Sequence, residues 1–413
     1  MIRYLAETSH DYSGTSAALG DRGTKVSAAA RPYAGISSMK ITIFLYYCSF
    51  ALFLFGNCVA STTIGGTASF KLGCQIVAIV FLVGKLGFDR FGAKQLLLFL
   101  PITAAFAYSG YVSSDFALLW SWLFIVTGSG IDVKRLAKVA LCVFLITLVL
   151  TVGLALSGAI ENIVMTRTGT DGLRYALGFR HPNGLGRQIL EVTIAVLIIR
   201  FPHFRFTDYL ICAASFIAIW QLTDSRTSMI CLIFAVVVCM SVTSGFIRGH
   251  EGGVLWLAFI LFGIEVGMSI ATMFINPHGG AAAAALNQLL SDRPYYDNYY
   301  FTNYGVQLFG QNLESIVSIA GSGYSFDGYV IDNAYCHMLL VNGFVPFLIM
   351  IVFIGFCYVR MAQEGRFTAL TMAFVLFTFL GITESSAINF YTAYYLIGLC
   401  PLFFGRPLQT ASA

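Results

Sequence analysis

The sequence predicts an all-α, polytopic membrane protein, and three observations carry that prediction. Only 11% of the 413 residues are charged, whereas an ordinary soluble domain has about 25%. Hydrophobic residues make up 58% of the chain, and the mean hydropathy is +0.79. The apolar residues fall into successive uncharged runs of roughly 20, the length a helix needs to cross a bilayer core of about 30 Å. Too little charge remains to cover a water-facing surface. A nucleic-acid-binding protein, a disulfide-framework secreted domain and a disordered scaffold are therefore excluded. The net charge of +4 says little, because in membrane proteins the placement of Lys and Arg carries the information.

Residues 1–40 are polar and rich in Ala, Ser, Gly and Thr, with Arg3, Arg22, Lys25, Arg31 and Lys40 and no signal-peptide pattern. They read as a disordered cytoplasmic tail. Spans follow near 41–60, 72–88, 95–111, 113–128, 136–158, 184–200, 208–223, 227–246 and 254–275. A long loop occupies 276–337, and three more spans lie near 338–359, 367–383 and 387–404 before a short cytoplasmic end. That makes about 12 transmembrane helices. Cys48, Cys142, Cys212, Cys231, Cys239, Cys357 and Cys400 lie in the apolar runs, where Cys behaves as a small buried hydrophobe. No CxxC pair or Cys/His cluster has zinc-ligand spacing, so neither a metal nor a disulfide is expected.

Orientation comes from the short loops. Lys85, Arg90, Lys94, Lys134, Arg135, Lys138, Arg200, Arg205, Arg248, Arg360, Arg366 and Arg406 fall in alternate loops, on the same side as the basic tail. The positive-inside rule makes that side cytoplasmic, with both termini inside. The remaining basic residues are Lys71, Arg167, Arg174, Arg180, Arg187, Arg226 and Arg293. All but one are Arg, whose planar fork suits phosphate or carboxylate. Singly, each also reads as an interfacial side chain or a salt-bridge partner. Together they suggest an anion site facing the extracytoplasmic side.

Three outer segments hold most of the candidate chemistry. In Arg174…Arg180-His181-Pro182-Asn183-Gly184…Arg187, the Pro182-Asn183 pair marks a helix start. A helix beginning there turns its N–H groups and positive end outward. Gly184 and Gly186 leave room for a ligand, and Arg180 and Arg187 flank the start. Glu191 stands one turn after Arg187, so a simple capped helix with an Arg–Glu pair is the competing reading. Thr223-Asp224-Ser225-Arg226-Thr227 is a tight outer turn that brings another Arg to this side. In the long loop, Ala281–Ala285 with Leu286, Leu289 and Leu290 predicts an interfacial helix. Ser291-Asp292-Arg293 and Tyr295, Tyr296, Tyr299, Tyr300, Phe301 and Tyr304 follow it; such aromatics bind sugar faces or form an interfacial belt.

Among the outer carboxylates Glu161, Asp171, Asp224, Asp292, Asp297, Glu314, Asp327, Asp332 and Glu384, Asp332 is singled out. It follows Val330 and Ile331 and opens the next apolar run. Partial desolvation there raises a carboxyl pKa unless the group is paired, which suits a general base. A helix-capping role for Asp332 or Asn333 is the alternative. His181 and His337 are secondary candidates. Glu265, inside an apolar span, reads as functional or as bonded to a neighbouring helix.

Taken together, Gly178-Phe179-Arg180-His181-Pro182-Asn183, Asp224-Ser225-Arg226-Thr227, and the loop with Arg293, Leu308-Phe309-Gly310 and Ile331-Asp332-Asn333-Ala334-Tyr335 before Gly343 resemble Wzy-type bacterial polysaccharide polymerases. These make O-antigen, capsule or exopolysaccharide. The resemblance spans about residues 165–345 by motif. It implies a GT-C-like fold in the bacterial cytoplasmic (inner) membrane and a glycosyltransferase that uses no metal or other cofactor. Donor and acceptor would be oligosaccharides on undecaprenyl diphosphate, and a chain-length regulator protein would be a partner. It assigns diphosphate and substrate binding to Arg174, Arg180, His181, Asn183, Arg187, Arg226, Arg293, Asn333 and Tyr335, and deprotonation of the acceptor hydroxyl to Asp332. The related O-antigen ligases carry a His-Asn pair where this chain has Asp332-Asn333, which favours polymerase over ligase. A ligase and a lipid-linked oligosaccharide flippase stay open as alternatives. The flippase fits less well, because the deep interior of the chain is nearly free of charge.

Overall fold

The order of elements follows the apolar runs closely. In the computed structural model, α1 (Tyr33–Ala60), α2 (Thr67–Phe88), α3 (Ala93–Ser113), α4 (Ala117–Val126) and α5 (Val133–Leu156) come first. A two-stranded antiparallel hairpin, β1 (Val164–Thr166) and β2 (Leu173–Tyr175), leads into α6 (Pro182–Arg200). Then come α7 (Phe206–Ala218), continued by a π-turn over Ile219–Thr223, α8 (Arg226–Thr243) and α9 (Glu251–Thr272). The long loop carries α10 (Ala281–Leu289) and α11 (Arg293–Tyr304), and the chain closes with α12 (Ala334–His337), α13 (Phe344–Glu364), α14 (Ala369–Gly381) and α15 (Cys400–Phe404). The structure describes residues 33–404 except 90, 167–171, 277–278, 291–292, 314–330 and 391. Lys40–Ala413 separates as one unit. The expected tail lies outside the described residues up to 32, and α1 already begins at Tyr33. Arg90, Arg167, Asp171, Asp292, Glu314, Asp327, Val330 and Arg406 also lie outside them.

Among the described residues, 8 helices are long and apolar enough to cross a membrane by length and composition. Their outward faces are apolar, with Leu97 78% and Val80 63% exposed, as lipid contact requires and water would not permit. The protein is a membrane protein. The other expected spans are different in kind. Helix α4 has 10 residues, about 15 Å at 1.5 Å per residue, which is half a bilayer core. Helix α14 is also short, at 13 residues. Helix α6 is 19 residues long but opens with the polar run Pro-Asn-Gly-Leu-Gly-Arg-Gln.

The span expected over 387–404 is not a continuous helix. Two 3₁₀ turns, Ser385–Ile388 and Tyr394–Leu399, precede α15. Phe390, Ala393, Tyr394, Tyr395, Leu396, Ile397 and Leu399 are all buried, and the segment packs among α4, α5, α13 and α14. Irregular backbone at membrane depth is tolerated only where protein encloses it and meets its polar groups. Here the Phe390 N–H donates to Ser121 Oγ at 2.9 Å, and the Ala393 N–H donates to Asn389 O at 2.8 Å. Aromatic stacking fills the rest: Phe390 lies 4.8 Å from Phe124, and Tyr395 lies 5.1 Å from Phe377. The Cys expectation holds for Cys212, Cys231, Cys239, Cys357 and Cys400, whereas Cys142 is exposed on α5 and Cys48 is half-buried.

The span expected from 338 begins instead at Phe344, because the chain breaks at Gly343. Gly310 and Gly343 cross in van der Waals contact there, with φ of 89° and 97°. The Phe344 N–H donates to Gln307 O, the Val345 N–H to Leu308 O and the Gln311 N–H to Val341 O, each at 2.9 Å. This junction clamps the end of α11 and the following loop onto the start of α13.

A Cβ on residue 310 would stand 2.1 Å from Val341 O, whereas one on Gly305, also at positive φ, meets nothing within 4 Å. Gly310→Ala should therefore cost about 2 kcal/mol or more and Gly305→Ala only about 1 kcal/mol. Thermal unfolding in detergent compares the two; equal melting would show that the glycine crossing does not hold the loop.

Candidate functional site: an arginine–carboxylate cluster at one end of the helices

The loops that follow α1, α3, α5, α7, α9 and α14 meet at one end of the helices, and side-chain bonds tie them together. The basic residues Lys85, Lys94, Lys134, Arg135, Lys138, Arg200, Arg205, Arg248, Arg360 and Arg366 belong to the other end. At the first end, the turn before α6 is stitched to the α1–α2 loop: Thr63 N–H donates to Gly178 O at 2.8 Å, and Arg180 N–H to Ser61 O at 3.0 Å.

Helix α6 starts at Pro182, where the Pro-Asn signal puts it, with His181 as its cap. His181 Nδ1 accepts from the Asn183 N–H at 3.0 Å, and His181 O accepts from the Gly184 N–H at 2.9 Å. The expected anion-binding N–H groups are thus already engaged by the chain itself. Burial lowers the His181 pKa, and the Arg174 charge adds to this against an opposing pull from Asp332. Gly186 does not open space for a ligand. An added Cβ would lie 2.8 Å from Ser225 Cβ, so Gly186 lets α6 pack against the 223–226 turn.

Arg174 braces that packing. Its Nε donates to Thr223 O at 2.6 Å, and its Nη2 donates to Asn183 Oδ1. Arg180 is similarly engaged, donating from Nε to Thr62 O at 3.0 Å and from Nη2 to Thr67 Oγ1 at 2.8 Å. The guanidinium of Arg187 meets a different set of groups, Glu191, Glu384 and Ser386. Arg226 is exposed at the first turn of α8, after Asp224 at a φ of 44°.

Two arginine–carboxylate groups remain, and they are neighbours. Arg187 lies between two carboxylates: its Nε is 3.5 Å from Glu191 Oε1, and its Nη1 is 3.9 Å from Glu384 Oε2. Nη1 also donates to Ser386 Oγ at 3.2 Å. Arg293, at the start of α11, donates from Nε and Nη2 to Asp332 Oδ2 at 3.4 Å and from Nη2 to Thr227 Oγ1 at 3.3 Å. Asp332 is thus a paired carboxylate, 40% exposed in its side chain, with Arg293 18% exposed. Burial pushes the Glu384 carboxyl up to about 7, with Arg187 and Arg293 pulling it down and Asp332 pushing it up. Glu384 therefore stands within electrostatic reach of both groups.

The sequence places Glu384 among the outer carboxylates without singling it out, includes Thr227 in the outer turn without a role of its own, and gives no sign of Ser386. The only available signal was an acid at the break between two apolar runs. Asn333 and Tyr335, by contrast, are committed to the interior. Asn333 Oδ1 caps α12 by accepting from the N–H groups of Tyr335 and Cys336, and its Nδ2 donates to Ser269 Oγ at 2.8 Å. The Tyr335 hydroxyl is buried and donates to Thr378 O at 2.8 Å. They position Asp332 rather than face a ligand. Asn183 likewise serves Arg174.

His337 belongs to a second polar group. Its Nε2 is 3.1 Å from Asp115 Oδ2, which also accepts from Asn342 Nδ2 at 3.2 Å, while Asp115 Oδ1 accepts from the Ala117 N–H at 3.0 Å. Burial alone would raise the Asp115 pKa, but the bonds and charge of His337 outweigh it and hold the group at about 2. This group joins the α3–α4 turn to α12. Among the described residues, no cluster of three or more His, Cys, Asp or Glu has the arrangement of a metal site. No family model, no curated protein and no solved structure matches this chain.

Asp297, buried in α11, titrates unusually for a loop acid. Burial is the main reason its carboxyl is raised to about 6, despite the Thr272 hydroxyl and Arg293. Thr272 Oγ1 has one proton and two close acceptors, Ser269 O at 2.6 Å and Asp297 Oδ2 at 2.8 Å. A protonated Asp297 resolves this by donating to Thr272, and an Asn amide would do the same. The raised pKa means that stability falls as pH rises from about 4 through about 6. Asp297→Asn should match the wild type near pH 4 and melt higher near pH 8, by at most about 3 kcal/mol. Parallel melting curves against pH test this; a variant less stable at pH 8 would show that the ionised carboxylate is the native form.

Proposed function

We propose that this protein is a polysaccharide polymerase of the outer face of a bacterial cytoplasmic membrane, with a GT-C-like arrangement of about 12 spans and both termini cytoplasmic. It joins oligosaccharide repeat units carried on undecaprenyl diphosphate. The observation that supports this most is the pairing of arginines with carboxylates from α6, the long loop and the break after α14 at one end of the helices: Arg187 with Glu191 and Glu384, and Arg293 with Asp332. The positive-inside rule makes that end extracytoplasmic. The resemblance to Wzy-type polymerases supplies the reaction, and the charges supply a physical reason for it.

In this reading, the oxygen of an acceptor hydroxyl bonds to the anomeric carbon of the donor. The bond from that carbon to the diphosphate oxygen breaks, and its electron pair leaves with the diphosphate. Arg187 and Arg293 meet the growing negative charge, as preorganised donors do in transition states. Asp332 takes the hydroxyl proton on Oδ1, the oxygen that Arg293 does not hold. Arg174, Arg180 and His181 keep the α6 start and its neighbouring loops in register, and Arg226 offers an exposed charge for the approaching headgroup. The tyrosines of α11 provide ring faces for the sugars: Tyr295 and Tyr299 are half-buried and lie parallel with centroids 6.3 Å apart.

Purified protein in vesicles, given the lipid-linked repeat unit in the presence of EDTA, should build a ladder of products. Arg293→Lys keeps the charge and loses the fork, so turnover should drop about 100-fold or more at normal protein levels. Asp332→Asn should bind the donor and make no ladder. An active Asp332→Asn variant would place the base elsewhere. Transfer only to an added foreign acceptor would make the protein a ligase, and lipid movement without bond formation would make it a flippase.

A further inference from the structure

Arg187 is enclosed by more negative charge than it can neutralise. Glu191 is 3% exposed and Glu384 15%, and both carboxylates approach the same guanidinium. Glu191 Oε1 is buried and accepts no hydrogen bond, so the Arg187 charge at 3.5 Å is what it faces. Glu191 sits one turn along the same helix as Arg187 and moves with it. Glu384 comes from a different element, the break between α14 and the 3₁₀ turn at Ser385–Ile388, and reaches Arg187 at 3.9 Å, longer than a hydrogen bond. It is the partner that can be exchanged.

We propose that Glu384 is a built-in occupant of the anion site: in the empty protein its carboxylate lies against Arg187, and an incoming diphosphate takes Arg187 from it while Glu384 takes up a proton. This rests on the reading of Arg187 as a diphosphate ligand. The charges require the exchange. Two carboxylates and one guanidinium already carry a net negative charge, and a diphosphate added beside two ionised carboxylates would be repelled. A proton on Glu384 removes one of those charges and leaves the guanidinium fork to the phosphate oxygens. The groups around Glu384 are Arg187 and Glu191 from α6, Arg293 from α11, Asp332 before α12, and the Cys231 thiol from α8. Release of the diphosphate product would return the proton and restore the Glu384–Arg187 pair, so each turnover ends with the site closed to stray anions.

The direction of the pH effect follows. The Glu384 carboxyl of the empty protein titrates at about 7, and a bound diphosphate raises it further. Below that pH Glu384 is already protonated and affinity is flat. Above it, each ligand must bring a proton, so affinity falls as pH rises, by about 10-fold per unit at the limit.

The test uses the full-length protein in nanodiscs and a fluorescent diphosphate diester bearing one prenyl chain and one sugar. Its phosphate charges stay constant from about pH 6 to about pH 8.5, so any slope belongs to the protein. Wild-type affinity should weaken across this range, with nearly one proton taken up per ligand near the upper end, read by calorimetry in buffers of different ionisation enthalpy. Glu384→Gln should bind more tightly at high pH, by about 10-fold, and lose the slope. Glu384→Asp should keep it, which guards against a variant that fails through misfolding. A flat wild-type profile overturns the proposal. So does a slope that survives in Glu384→Gln, since the proton would then belong to another group of the site, Glu191 or His181. Unchanged binding in Arg187→Gln at every pH would instead defeat the anion-site reading itself.

Discussion

A layer of hydrocarbon about 30 Å thick leaves a chain nowhere to put an unmet polar group, and the arrangement of this protein follows from that constraint. The long helices satisfy their backbone internally and turn Leu, Ile, Val and Phe outward. Apart from Glu265 within α9, most ionisable side chains are pushed toward the two ends, where the loops are. At one end lie the Lys and Arg residues of the short loops, several paired with acids close by in sequence, such as Lys85 with Asp89 and Arg360 with Glu364; at the other, Arg187 and Arg293 are drawn into contact with Glu191, Glu384 and Asp332. The exclusion of charge from the middle is what concentrates it into a site.

The same constraint explains where the irregular backbone goes. The 3₁₀ turns Ser385–Ile388 and Tyr394–Leu399 depart from α-helix, yet the second packs among α4, α5, α13 and α14, and Ser121 and Asn389 meet the N–H groups of Phe390 and Ala393. The break also holds Glu384, whose carboxylate it presents to Arg187 Nη1 at 3.9 Å. The Gly310–Gly343 crossing does the corresponding work for α11. It fixes the chain just beyond the far end of α11, the helix whose first residue, Arg293, pairs with Asp332.

Several side chains that look chemical in isolation prove to be structural. Arg174 and Arg180 spend their donors on Thr223, Asn183, Thr62 and Thr67, and His181 caps α6. Tyr335 and Asn333 hold α12 against α9 and α14. These bonds hold the loops so that the two arginine–carboxylate groups face one another. Arginine's several donors in a fixed plane make it suited to bracing as well as to anion binding, so residue type alone cannot separate the two uses.

The sequence by itself determined the class of the protein, the places of the long helices, the start of α6 at Pro182 and the division of the basic residues between the two ends of the helices. All of these depend on composition, on local backbone preference or on the cost of charge in an apolar layer, which neighbouring residues in the chain express directly. Only the tertiary structure decided which arginines brace and which pair with acids, that Gly186 serves helix packing, and that Glu384 belongs beside Arg187. Residues 187 and 384 are almost two hundred positions apart. Their meeting depends on how α6 packs against the broken segment after α14, and no local pattern encodes such a contact.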